Sequence, residues 1–144
     1  MGGQLLSGQQ AVTLGTLSLA NNTGVASNYS LTSATLDINA KPISLSGSKV
    51  YDASATASSS ALTISGTAGG QTLTLTGNGT LSAGANVGTN KAINTSGLTL
   101  GNGSGGTAGL ATNYSMVGGT YQMTVTQRPV TVSGSRFYDS TMAL

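Results

Sequence analysis

The sequence is unusual first for the residue types that it lacks. Its 144 residues include no cysteine, histidine, tryptophan or glutamate, and charged residues make up 6% of positions, against roughly 25% in ordinary soluble domains. Without cysteine the chain has no disulfide framework, so its fold must depend on burial and strand pairing. Without histidine or cysteine it can assemble neither a serine–histidine pair nor a thiolate nucleophile. We therefore expect no enzymatic activity.

Charge is equally sparse, and its pattern argues against several kinds of partner. A net charge of +2 is too small to form a basic patch, so nucleic-acid binding is not expected. The three acidic residues, Asp37, Asp52 and Asp139, are scattered, whereas calcium asks for about six to eight oxygen ligands with several carboxylates. No metal or cofactor site is predicted. No apolar run approaches the roughly 20 residues of a membrane-spanning helix, and the N-terminal MGGQLLSG is not a signal peptide.

What the chain does contain is the alternation of apolar and polar residues that is typical of β-strands. The clearest case, 71–76, places two leucines on one face and three threonines on the other. The pattern recurs at 17–19, 43–45, 98–100, 121–126 and 130–132. Clusters rich in glycine and asparagine at 69–70, 77–79 and 101–106 predict turns and loops between these runs. No apolar stripe of helical period is present, so the sequence predicts an all-β chain.

The chain also repeats itself, with a period of about 86 residues. Val25–Leu31 matches Leu110–Met116, Lys41-Pro42 matches Arg128-Pro129, and SGSKVYD at 46–52 returns as SGSRFYD at 133–139. Cutting at the Lys/Arg-Pro step gives the closing half of a preceding unit (1–41), one complete unit (42–128) and the opening strand of a following unit (129–144). This period exceeds the roughly 20–45 residues of a solenoid rung. It is typical of small β domains in series.

The repeated motifs resemble those of the YDG domain, a module found in tandem in large filamentous-haemagglutinin-like adhesins of Gram-negative bacteria. They are the opening Lys49-Val50-Tyr51-Asp52, the middle Asn86–Ile93, and the closing Asn113-Tyr114-Ser115 with Arg128-Pro129. The resemblance implies a secreted adhesin at the bacterial cell surface, of the kind exported by two-partner secretion, in which this module serves as a stalk. The implied partners are neighbouring repeat units of the same parent chain.

The residues that recur at the start and end of the repeat are the candidate functional residues. For the Tyr-Asp pairs, one interpretation is a ligand contact with a sugar-stacking ring. We favour a turn cap and a core ring, because a chain with 4% aromatic residues needs its tyrosines for burial. The YDG pattern has glycine after Tyr-Asp where this chain has Ala53 and Ser140, so we expect a turn of ordinary φ capped by the aspartate. The full set is Asn28, Tyr29, Lys41, Pro42, Lys49, Tyr51, Asp52, Asn113, Tyr114, Arg128, Pro129, Arg136, Tyr138 and Asp139.

Alternatives stay open for both fold and function. The number and spacing of strands favour small antiparallel β-sandwich modules of immunoglobulin-like character in tandem. A β-grasp-like sheet is the alternative, and a β-solenoid is disfavoured by the repeat length. Besides the stalk, the module could recognise a carbohydrate or another host or matrix ligand. It could also self-associate through unpaired strand edges, as in a filament or a biofilm matrix.

Overall fold

The computed structural model describes residues 8–138 and 140. Regular structure in this part of the chain consists of strands and short 3-10 turns, which confirms the all-β class. The strands are β1 (Gly8–Ala11), β2 (Thr35–Ile38), β3 (Lys41–Pro42), β4 (Ser44–Val50), β5 (Thr56–Ser58), β6 (Leu62–Ser65), β7 (Leu73–Leu81), β8 (Gly88–Asn94), β9 (Leu98–Asn102), β10 (Tyr114–Ser115) and β11 (Tyr121–Thr126). The 3-10 turns span Ala26–Asn28, Ser59–Ala61 and Ala111–Asn113.

One seven-stranded sheet, made of β4 to β9 and β11, curls into a nearly closed, barrel-like surface. Its order is β5-β7-β8-β11-β4-β6, with β9 paired to β7. β4 and β11, which open and close the unit, are parallel neighbours over six residue pairs, and β3 is parallel to β10. The prediction of a wholly antiparallel sheet is therefore wrong, and an immunoglobulin-like sandwich is not confirmed. Residue alternation fixes the face that a strand buries, but it carries no signal for the direction of the neighbouring strand.

The glycines at 77–79 lie inside β7, so the turn predicted there is wrong. The strand changes partners at this point: it pairs with β9 over Leu73–Gly77, and beyond it with β5 over Asn78–Thr80 and with β8 at Thr80 and Leu81. Gly77 has φ +85, and a Cβ atom on it would lie 2.2 Å from the Gly97 carbonyl oxygen. Glycine inside a strand marks a bend or a close approach of backbone. Here it does both, and it lets one strand serve two parts of the curled sheet.

The hydrophobic core lies inside this sheet. Ile43, Leu45, Leu81, Met123 and Val125 are its most deeply buried large side chains. The leucines of 71–76 pack against this core while the threonines beside them are exposed, as the alternation predicts. Because β4 and β11 supply most of these residues, the pair that opens and closes the unit also forms its centre.

The segment before the complete unit contains a hairpin of its own. β1 and β2 form a separate antiparallel two-stranded sheet, in which Gln10 lies opposite Leu36. In the complete unit Lys91 of β8 lies opposite Met123 of β11. Under the sequence repeat, Gln10 corresponds to Lys91 and Leu36 to Met123. The β1–β2 pair therefore has the register of the β8–β11 pair at this position, and β8–β11 departs from it at a bulge between Met123 and Val125.

The segment after the complete unit is different, because 127–138 forms no strand. The sequence predicts an opening strand here, equivalent to β4. In the complete unit β4 lies between β11 and β6, whereas no strand pairs with 129–138 within the described residues. Its apolar side chains, including Val130, Val132 and Phe137, are exposed. The strand pattern is present in the sequence, but within the part of the chain that the structure describes no neighbouring strand pairs with it.

Candidate functional site

The start motif of the repeat closes the end of β4 with a corner centred on a lysine. The Lys49 ammonium lies 2.9 Å from Asp52 Oδ1 and donates to the carbonyls of Ser54 at 2.7 Å and Thr56 at 2.9 Å. An ammonium group has three N–H donors, so these three oxygens match its whole capacity. The lysine therefore fastens the turn that leads from β4 into β5.

Asp52 caps this turn, as the sequence predicts. Its Oδ1 atom accepts a hydrogen bond from the Ser54 N–H at 3.0 Å, which is the geometry of an Asx turn. The expected ordinary φ is wrong, because Ala53 has φ +63 and Ser140, at the same place in the next copy, has φ +62. The backbone must reverse so that the Asp52 carboxylate and the Ser54 carbonyl both face Lys49. That reversal explains why glycine suits this position.

The corner also sets the ionisation of its aspartate. The hydrogen bond from Lys49 lowers the pKa of Asp52 below its usual value, and the Ser54 N–H lowers it further. Desolvation raises this pKa, but by less. Each donor favours the carboxylate over the acid, so the charged form is the one that the corner binds.

The start and the end of the repeat lie side by side in the structure. At one end of the unit Lys41-Pro42 of β3 pairs with Tyr114-Ser115 of β10. At the other end the Tyr51 N–H donates to the Thr126 carbonyl at 2.9 Å. The Tyr51 ring packs against the core while partly exposed, which agrees with the favoured core interpretation. Residues predicted only as markers along the sequence are therefore contacts in space.

The end motif anchors its tyrosine in the core. Tyr114 is 7% exposed, donates its hydroxyl hydrogen to Gln71 Oε1, and accepts from the Ala68 N–H at 3.1 Å. Asn113 closes the 3-10 turn before it, since its N–H donates to the Leu110 carbonyl at 3.0 Å. The tyrosine thereby ties the end motif to the loop between β6 and β7.

The partial copies of these motifs lie at the surface. Asn28 occupies the same turn as Asn113, but Tyr29 is 68% exposed. Arg136 and Tyr138 of the following copy are exposed, and so are Arg128 and Pro129 at the end of the complete unit. The predicted Asp139 lies outside the described residues. The structure therefore brings Lys41-Pro42 together with Tyr114-Ser115, and Lys49 together with Asp52, whereas Tyr29 and Tyr138 lie at the surface.

Sequence reasoning missed an asparagine that organises the end motif. Asn102 Oδ1 accepts from the Ala111 N–H at 2.8 Å, and Asn21 Oδ1 accepts from the Ala26 N–H at 2.6 Å. The sequence repeat could have identified this asparagine, because Asn21 and Asn102 are separated by the same offset as 17–19 and 98–100. The match is easily overlooked, since both residues lie in segments where asparagine and glycine are common. A second surprise is Lys91, which is buried and donates to the Asn86 carbonyl.

These contacts bring the residues of the start motif and the end motif together within one β module. The YDG domain model matches residues 37–125, which is more than half of the chain, and the chain belongs to the YDG domain family. Neither the curated proteins nor the solved structures gave a match. Among residues 8–138 and 140, no helix is both long and apolar enough to cross a membrane.

Proposed function

We propose that this YDG unit is a structural stalk module of a secreted bacterial surface adhesin, where it spaces and presents an adhesive region outside the cell. The role is mechanical and not catalytic. The observation that carries it is the parallel pairing of β4 with β11. The chain enters the sheet through β4 and leaves it through β11, so this pair bears any tension along the chain.

The direction of the two strands decides how they respond to tension. Six residue pairs join them, a contact of about 20 Å at roughly 3.3 Å per residue. Because the strands are parallel, the entering end of β4 and the leaving end of β11 lie at opposite ends of this contact. Tension then slides one strand along the other and loads their hydrogen bonds together. Antiparallel terminal strands would instead open one bond at a time.

The lysine corner supports the same role. Lys49 lies on β4 beside the last residue pairs with β11, and it fastens the strand end to Ser54 and Thr56. The Thr126 hydroxyl adds a bond to the Lys49 carbonyl at 3.3 Å. A load transmitted to β4 is therefore shared with β5 and with the end of β11.

We also infer that the central part of the sheet is β-grasp-like. The support is the order β6-β4-β11-β8, with the first and last strands of the unit parallel at its centre. This order is the alternative that the sequence left open, and it is the arrangement that gives the stalk its loading geometry.

Single-molecule force spectroscopy tests the proposal. The full chain is stretched between handles at its two ends, which loads β4 and β11 in shear. We expect one dominant unfolding event at high force, because forced unfolding measures the barrier to separating this pair.

The matched control changes only the direction of the load. The chain has no cysteine, so Val50→Cys, at an exposed position at the end of β4, provides a unique handle. Pulling between this residue and the C-terminus opens the pair from one end, and the unfolding force should fall severalfold. Equal forces in the two geometries would remove the support for a load-bearing stalk.

A further inference from the structure

The segment before the complete unit, 8–41, presents an apolar face that its counterpart buries. Leu36 is 58% exposed where the corresponding Met123 is 1% exposed, and Leu17 is 59% exposed where Leu98 is 5% exposed. The same segment also contains a groove of about 460 Å³, lined by Leu19, Tyr29 and Leu31 among others. In the complete unit the corresponding Tyr114 contacts the loop between β6 and β7, and Met123 lies in one core cluster with Ile43 and Leu45.

The strand β2 also has an unpaired edge. Among residues 8–138 and 140 it pairs with β1 only, and the Val12 N–H donates to the Ala34 carbonyl at 2.9 Å, so Ala34 faces β1. Because backbone groups alternate along a strand, those of Thr35, Asp37 and Asn39 face the other, unpaired edge. The equivalent edge of β11 is the one to which β4 is bonded.

The chain carries a second version of the strand that fits this edge. We call 129–138 the opening segment. It repeats the sequence of β4 and its flanks, with Val130 in the place of Ile43 and Val132 in the place of Leu45. Ile43 and Leu45 are 0% and 1% exposed, whereas Val130 and Val132 are 85% and 92% exposed. The opening segment therefore exposes the side chains that the complete unit uses as its centre.

We propose that the opening segment of one copy of this chain adds to β2 of a second copy as a parallel strand, in the register by which β4 pairs with β11. Val132 then lies opposite Ala34, and Gly134 lies opposite Leu36. The Val130 N–H reaches the Ser30 carbonyl, as the Ile43 N–H reaches the Ser115 carbonyl at 3.0 Å in the complete unit. Strand addition of this kind gains affinity from main-chain bonds and specificity from alternate side chains.

The assembly that follows is directional. Each copy carries one opening segment and one β2 edge, and these are different surfaces. The contact is therefore heterologous, and it generates linear chains or closed rings of copies. The inference rests on the internal repeat and does not depend on the stalk role.

Sedimentation velocity of the full chain, from low micromolar to near-millimolar concentration, tests the proposal. We expect the average mass to rise with concentration. The critical variants are Gly134→Pro and Ser135→Pro. The Leu45 and Tyr51 N–H groups donate toward β11, so by alternation the N–H of residue 134 faces the acceptor strand and that of residue 135 faces away. Proline removes one N–H in each variant.

Gly134→Pro should abolish the rise in mass, and Ser135→Pro should leave it. Both residues lie in a segment that forms no strand in the single copy, so neither variant should alter its circular dichroism or melting temperature. A chain that stays monomeric at every concentration overturns the proposal, and so does an equal effect of the two prolines. Either result would leave the force measurement on the stalk unaffected.

Introduced cysteines test the register itself. A mixture of Val132→Cys chains with Ala34→Cys chains should form a mixed disulfide on mild oxidation, since these residues would lie opposite one another. A mixture of Val132→Cys with Leu36→Cys is displaced by two residues along the strand, which exceeds the Cα separation that a disulfide spans. Equal crosslinking of the two mixtures would contradict the predicted register.

Discussion

The segment 8–41 and the second half of the complete unit have nearly the same local structure in very different surroundings. Val25 and Leu110, which precede the matching 3-10 turns, have φ, ψ of −88, 116 and −88, 124. The strand pairs that flank these turns, β1–β2 and β8–β11, have the same register up to the bulge that follows Met123. Yet Tyr114 is buried and bonded to a neighbouring loop, whereas Tyr29 is exposed. Local sequence is therefore enough to set the turn and the hairpin.

The local sequence does not determine whether these side chains are buried. In the complete unit β4 lies between β11 and β6 in the sheet, and its Leu45 belongs to the core. The segment 8–41 has the same apolar positions without such a strand beside them among the described residues. The comparison separates the contribution of local geometry from that of tertiary packing, and matched substitutions in the two copies can measure the difference.

The largest contrast is expected from truncating the same position in each copy. Met123→Ala removes a fully buried side chain of β11, and large-to-small core substitutions of this type cost about 2–5 kcal/mol. Leu36→Ala, at the corresponding exposed position, should change the free energy of unfolding by less than about 0.5 kcal/mol. Urea denaturation monitored by circular dichroism measures both. A cost for Leu36→Ala equal to that of Met123→Ala would show that 8–41 has a core of its own.

The two copies of SGS provide the next contrast. A Cβ atom on Gly47 would lie 2.1 Å from the Ala61 carbonyl oxygen, whereas one on Gly134 has nothing within 4 Å. Gly47→Ala should destabilise the unit by about 1–3 kcal/mol, the usual cost of overpacking. Gly134→Ala should have no measurable effect on the same urea transition. If Gly47→Ala were neutral, β4 and the turn at Ser59–Ala61 would not be packed as closely as described.

A smaller effect of opposite sign is expected at the turn after Tyr-Asp. Ala53 has a left-handed backbone conformation, which costs roughly 1–2 kcal/mol for an L-residue, and Ala53→Gly removes this cost. Glycine also raises the conformational entropy of the unfolded chain, which offsets part of the gain. We expect a net stabilisation of about 0.5–1 kcal/mol. Ser140→Gly has the same local φ outside the folded sheet, and it should leave the unfolding transition unchanged. Destabilisation by Ala53→Gly would contradict the φ described here.

These contrasts also mark what could be read from the sequence. The all-β class and the Asx turn at Asp52 depend on short-range pattern, and the repeat is a direct match of residues within the chain, so the sequence predicts all three. The parallel β4–β11 pair depends on how distant strands return, and alternation of residues is the same for either direction. The glycines at 77–79 show the same limit, since they resemble a turn until the crossing partner at Gly97 is known.

In the candidate site, too, the sequence predicts some of the contacts and not others. Lys49, Tyr51 and Asp52 recur as a motif, so their importance is visible in the sequence. The Ser54 and Thr56 carbonyls that complete the corner are backbone groups. Every residue has such a carbonyl, so the residue types do not predict these contacts. The positive φ of Ala53 follows from those backbone contacts, which is why the expectation of an ordinary turn failed.

The smallest predicted effect is a pH dependence from Asp52. Its folded pKa is lowered by Lys49 and Ser54, below the unfolded value of roughly 3.9. The contribution to stability is therefore complete above the unfolded pKa, and it is lost as the pH falls through that value toward the folded pKa. Asp52→Asn keeps a side-chain oxygen that can accept from Ser54 and Lys49 but does not titrate. Urea midpoints measured from pH 7 to pH 2 should fall less steeply at the acid end for Asp52→Asn than for the parent chain. The same fall of the midpoint below pH 4 in both chains would show that the corner does not depend on the aspartate charge.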